Sequence, residues 1–194
     1  MAKITQADMQ AADIIVSTGS GLVSTVIRTG SASRFSHAAL YIGEGKVIEA
    51  ISKGVVRRSL KVALNNDTLA VVYRRKNLSA TQARLVIRYA SRQVDKSYDY
   101  AGVVGASKHT VGGMVMHVIY IPLGVIQDIG EAINLISPES SFFCSELVLR
   151  AFEHADARIT FKPATISAPG DIPGSHQMQY IGHLKKSVKP APAA

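Results

Sequence analysis

SHAALYIGEGKVIEAI, residues 36–51, decides the reading of the fold. Two apolar runs flank GEG, and Gly43 and Gly45 supply the permissive backbone of a tight turn, so the stretch predicts a β-hairpin. Two polar residues interrupt the apolar runs: His37 opens the first, and Glu49 sits inside VIEAI. Counted from Glu44, His37 stands seven positions back and Glu49 five forward. Both separations are odd, so pairing the strands brings the two residues onto one face. A carboxylate beside an imidazole can fix its tautomer and orient its ring. Taken alone, the residues also admit a strand-edge histidine bonded to backbone and a glutamate that is the solvent half of an alternation.

Strand character extends outward from the hairpin. DIIVS at 13–17 is a short β-branched run followed by the turn-like TGSG, and VVRRSL and TLAVVYRR continue the pattern. They predict a meandering antiparallel sheet of four or five strands, six at most. Helical spacing of Leu22, Val23, Val26 and Ile27 predicts a short helix ending near Gly30. SATQARLVIRYASRQV at 79–94 opens on an N-cap serine and sets Ala83, Val86, Ile87 and Ala90 on one face, an amphipathic helix. A further helix is expected over 124–135, after Pro122. In SFFCSELVLRAFEHAD, Leu147, Val148, Ala151 and Phe152 form a core-facing helical stripe. SAPGDIPGS reads as turns, and residues 185–194 as a disordered basic tail rich in Pro and Ala.

A length of 194 residues and an apolar fraction of 47% fit one folded domain, taken here as residues 1–184. A single cysteine excludes an internal disulfide, and no CxxC or HExxH spacing holds a metal, so neither metal nor other cofactor is implied. The net charge of +8 favours anionic partners. Nucleic acid is set aside because no binding motif accompanies the dispersed pairs Arg57-Arg58, Arg74-Arg75 and Lys185-Lys186. The N-terminus lacks the apolar run of a secretory signal, so synthesis in the cytoplasm is expected. Residues 111–126 are apolar but too short to span a bilayer, which predicts a buried or interfacial segment rather than a transmembrane one.

Cys144 falls at the start of the helix after 141. There it meets unpaired N–H groups and the positive end of the helix dipole, both of which favour thiolate and could hold an oxyanion. A small buried hydrophobe is the alternative. A nucleophilic cysteine needs a histidine base and a residue to orient it, and His37 with Glu49 supplies that pair. His109, His117, His154, His176 and His183 lack such a partner and read as structural, the last three in helix-end or loop contexts.

The order DIIVSTGSGLVSTVIR, SHAALYIGEGKVIEA, YDYAG, FFCSELVLRAFEHA and SAPGDI resembles the YiiX-like branch of permuted NlpC-type papain-fold enzymes. The lecithin:retinol acyltransferase family shares this permuted order. The resemblance covers roughly residues 13–172 and implies an α+β, circularly permuted papain-like fold, with an antiparallel sheet packed against helices and the cysteine at a helix N-terminus. It assigns Cys144 as nucleophile, His37 as base and Glu49 as the third residue. The apolar region 102–136 departs from a minimal member and reads as an insertion that serves as a lid or faces lipid or a partner.

The expected activity is cysteine-dependent hydrolysis of an amide in peptidoglycan stem peptides. Delivery to a target-cell periplasm by a specialised secretion system, as an antibacterial effector with an immunity partner, would reconcile that substrate with a missing signal. Action on a lipid or acyl substrate with peripheral membrane contact, and a non-catalytic binding module, are the alternatives.

Overall fold

The computed structural model describes residues 2–19, 33–98 and 141–185. Its centre is the hairpin of β2 (His37–Gly43) and β3 (Lys46–Ile51), which follows β1 (Ile14–Gly19). Glu44 and Gly45 both have positive φ, 50° and 67°, as a two-residue turn matched to strand twist requires. Gly43, at φ 94°, takes up a register shift just before it. β4 (Gly54–Ser59) pairs back on β3 and runs into a single helical turn, α1 (Leu60–Ala63), which Ser59 caps.

From there the chain departs from a simple meander. β5 (Asp67–Arg75) crosses back to pair with β1, and β8 (Met178–Lys185) adds outside it. The antiparallel sheet has the order β4-β3-β2-β1-β5-β8. Two short segments, β6 (Ser97–Tyr98) and β7 (Ser141–Phe142), form a separate parallel pair. β7 delivers the chain to the cysteine helix.

Alternation along the strands gives the sheet two apolar faces. Ile14, Val16, Ala38, Leu40, Ile48, Ala50 and Val71 share the larger cluster with Val86 and Ala90 of α2 (Ala80–Ser91). The same cluster takes Leu147, Val148, Ala151 and Phe152 of α3 (Cys144–His154). The other face packs Ile15, Ala39, Tyr41, Val47 and Val72 against Ile4, Met9, Leu60 and Leu64. Each large side chain buried here stabilises the fold by roughly 1.5–3 kcal/mol. Helix α2 begins with a reciprocal capping box between Ser79 and Gln82. Helix α3 thus rests on β2 and β3, the two strands that carry His37 and Glu49.

Several expectations change. Thr18 and Gly19 continue β1 instead of turning, because Thr18 still pairs with Leu69. Leu60, expected to end the VVRRSL strand, instead opens α1, because Ser59 supplies the cap that starts a turn. β8 was not foreseen, and it brings His183 into a strand, buried, rather than a loop. The expected helices at 22–27 and 124–135, the 102–136 insertion, His109, His117 and residues 186–194 of the tail lie outside the described residues. Among the described residues, no helix is long and apolar enough to cross a membrane.

Candidate active site

Two element starts meet at the site: His37 is the first residue of β2, and Cys144 the first of α3. The β2–β3 register sets Leu40 opposite Ile48 and Tyr41 opposite Val47. Continued along the strands, it places Glu49 diagonally from His37 on the same face, a separation long side chains can bridge. They do so, with His37 Nε2 2.5 Å from Glu49 Oε2. Bonding at Nε2 leaves Nδ1 as the ring nitrogen available to a sulfur.

Cys144 stands beside this pair, and its side chain acts on the His37 imidazole to favour the protonated ring. The thiol is buried, while the imidazole keeps 22% of its side-chain surface exposed. The N-cap of α3 is Phe143, whose side chain makes no cap hydrogen bond. The first-turn N–H groups beside Cys144 therefore receive no capping side chain from that residue, and they carry the positive end of an 11-residue helix. Ser145 fastens the same turn by donating its hydroxyl to the Ser167 carbonyl at 2.7 Å.

Glu49 is fully buried, a position that by itself disfavours a charge. Desolvation pushes its pKa up, but the hydrogen bonds and charges of His37 and Arg58 outweigh it, and the carboxyl is held below its ordinary value. For His37, burial pulls the imidazole's pKa down. The neighbouring Cys144 side chain and the Glu49 carboxylate, which accepts the imidazole's N–H, override that loss and hold it well above the usual imidazole range. The balance favours the protonated imidazole.

Arg58 escaped the sequence reading, where it belonged to one of three dispersed basic pairs. Its Nε donates to Glu49 Oε1, the carboxylate oxygen that His37 does not use. The signal lay in the register: Glu49 opposes Val56 on β4, which places Arg58 diagonally across from it on the same face. A second carboxylate, Glu146, sits buried in the first turn of α3, where it would repel a thiolate. Its ion pair with Arg150 at 2.8 Å offsets that charge.

The other histidines among the described residues stand apart from these groups. His154 ends α3 and stacks on Tyr89, and His183 lies edge-on to Tyr180 in β8. His176 belongs to a loop and lines a cavity of about 660 Å³ with Arg75, Arg158, Phe161 and Lys162. Among the described residues, no group of three or more His, Cys, Asp or Glu side chains is gathered as metal ligands would be.

Comparison with known proteins agrees with this architecture. Escherichia coli (strain K12) "Probable lipoprotein peptidase YaeF" is 28% identical over 209 residues, covering 96% of this chain and 74% of the relative. The crystal structure of the metalloprotein YiiX from Escherichia coli O157:H7 superposes with a TM-score of 0.65, over 90% of this chain and 97% of that one. At 17% identity, that likeness speaks to the fold. The model of the family described as "Permuted papain-like amidase enzyme, YaeF/YiiX, C92 family" matches residues 8–109, just over half of the chain, a span that holds His37, Glu49 and Arg58 and stops short of Cys144. With six antiparallel strands, a cysteine helix that follows the histidine strand, and this match, the chain belongs to the C92 peptidase family of permuted papain-like amidases.

Proposed function

We propose that the protein hydrolyses amide bonds with Cys144 as nucleophile, His37 as acid and base, and Glu49 as the residue that orients His37. The observation carrying this reading is the meeting of the Cys144 helix start with His37, whose Nε2 lies 2.5 Å from buried Glu49 Oε2. In the first half-reaction, Sγ of the thiolate attacks the carbonyl carbon, and the carbonyl electron pair moves to oxygen. The oxyanion is stabilised by N–H groups of the first turn of α3, the Cys144 N–H among them. Collapse breaks the C–N bond, His37 gives its proton to the departing amine, and a thioester remains. Neutral His37 then takes a proton from water, hydroxide adds to the thioester, and the thiolate leaves beside a restored imidazolium.

The substrate we assign is the stem peptide of peptidoglycan, which suits a chain of net charge +8 because the bacterial wall is rich in anionic polymers. Purified sacculi treated with the protein should release cleaved stem peptides by mass spectrometry, and Cys144→Ala should release none. Unchanged muropeptides with turnover on another substrate would overturn the assignment. A lipid or acyl substrate is the second reading, favoured by the apolar run at 111–126. Cys144-dependent acyl release from phospholipid vesicles would select it. Absence of all turnover would leave a binding module with a papain-like fold.

Delivery to a neighbouring cell's periplasm, with an immunity partner in the producing cell, is the biological role consistent with that substrate. Expression directed to the periplasm should then lyse cells where cytoplasmic expression does not. Equal tolerance of both would contradict it.

A further inference from the structure

Resting on the catalytic reading above, we infer that Arg58 is a positioning residue for deacylation, a permanent cation that keeps Glu49 ionised while His37 is neutral. The geometry separates the two oxygens of one buried carboxylate: Oε2 faces His37 Nε2, and Oε1 faces Arg58 Nε. Glu49 is wholly buried, whereas Arg58 keeps 31% of its side-chain surface exposed. The guanidinium is therefore hydrated at its outer end and ionic at its inner end. It needs no second buried partner.

The two half-reactions make different demands on the His37–Glu49 pair. Attack on the carbonyl needs one shared proton, imidazolium beside carboxylate. Hydrolysis of the thioester needs none, neutral imidazole beside carboxylate, so that His37 can accept a proton from water. In that state Glu49 loses its cationic neighbour on one side, and the thiolate charge has already been consumed in the thioester. A buried carboxylate with no cation is unfavourable and binds a proton instead. Arginine does not deprotonate in proteins, so Arg58 supplies that cation in both states. Without it, the pair would hold its proton to higher pH, on Glu49 or on His37 alike. Either location removes the base that deacylation requires.

The test uses the full chain with p-nitrophenyl acetate, whose acyl group can be transferred to Cys144 with release of p-nitrophenolate. The acylation burst and the steady-state rate are followed from about pH 5.5 to about pH 9, a range set to bracket the ordinary imidazole value. Arg58→Gln should keep the burst amplitude and lower the steady-state rate about tenfold or more near pH 6, with recovery as pH rises. Arg58→Lys, which restores a cation, should recover most of the steady-state rate near pH 6. A merely structural role would lower burst and steady state together and leave the pH dependence in place. That result overturns the inference, as does a steady state unchanged in a folded Arg58→Gln. Should Arg58→Gln fail to fold, Arg58→Lys decides: a wild-type pH dependence supports the inference, and a collapsed steady state below pH 7 with a full burst overturns it. Absence of any Cys144-dependent burst in the wild type defeats the catalytic reading itself, and with it this inference. A Cys144-dependent burst with unaltered Arg58 variants defeats this inference alone.

Discussion

Glu49→Gln probes both the chemistry and the energetics of the buried pair. The glutamate accepts at one oxygen from His37 and at the other from Arg58. An isosteric amide keeps the volume but has one acceptor oxygen, and its NH2 group would face a donor on the other side. One charge-assisted hydrogen bond is therefore lost, at a cost of roughly 1.5–3 kcal/mol. In a domain of this size each kcal/mol moves the melting temperature about 2–4 °C, so the variant should melt roughly 3–12 °C lower at pH 7. Turnover should fall further, on the order of 10²–10⁴-fold, because the imidazole loses the carboxylate that fixes its tautomer and stabilises its charged form. The pH dependence has a definite sign. The folded pKa of Glu49 is depressed, so its contribution is complete above the unfolded value and is lost as pH falls through the lower folded value. Melting of wild type and variant should converge in acid and separate toward neutrality. Thermal denaturation followed by circular dichroism, with turnover measured on folded protein, tests this. Equal melting temperatures at pH 7, or turnover within threefold of wild type, would refute the reasoning.

Other perturbations have equally definite outcomes. Cys144→Ala should abolish turnover while changing stability by about 1 kcal/mol or less, since a small buried side chain replaces another; loss of the fold on denaturant titration would contradict this. His37, whose folded pKa is raised, contributes stability that is complete below the ordinary imidazole value and is lost as pH rises through the folded one, so His37→Ala should differ most from wild type at neutral and lower pH. Arg74→Met should destabilise by about 3–5 kcal/mol, because buried Asp13 loses two bonds, at 2.7 and 2.8 Å, without loss of turnover per folded molecule. Gly54→Ala should cost on the order of 1–3 kcal/mol in urea unfolding, as φ is 106° there and a methyl group would strike the Lys96 carbonyl.

The local features of the fold were legible because they are local. GEG sets the hairpin, Ser79 starts α2, and the stripe from Leu147 to Phe152 marks α3. The crossing of β5 to β1 was not legible, since nothing within TLAVVYRR states which neighbour it will pair with. β8 was hidden for a different reason. Its pairing with β5 is interrupted by register shifts after Ala70 and after Val72, so MQYIGHLK shows no clean alternation. Cys144, His37 and Glu49 could be named because each is a polar or reactive residue in an apolar context. Arg58 is equally close to Glu49, but an arginine beside another arginine looks like solvated surface until the β3–β4 register is known. The family match illustrates the same division, since it ends before the cysteine that the helix start singles out.

The central claim is that Cys144 forms the covalent intermediate with help from His37. Peptide mapping by mass spectrometry after a rapid acid quench of the protein with p-nitrophenyl acetate reads this directly. A single acetyl group is expected on the peptide that contains Cys144, formed far more slowly in His37→Ala. Acetylation elsewhere alone, or labelling of Cys144 at the same rate without His37, would contradict it.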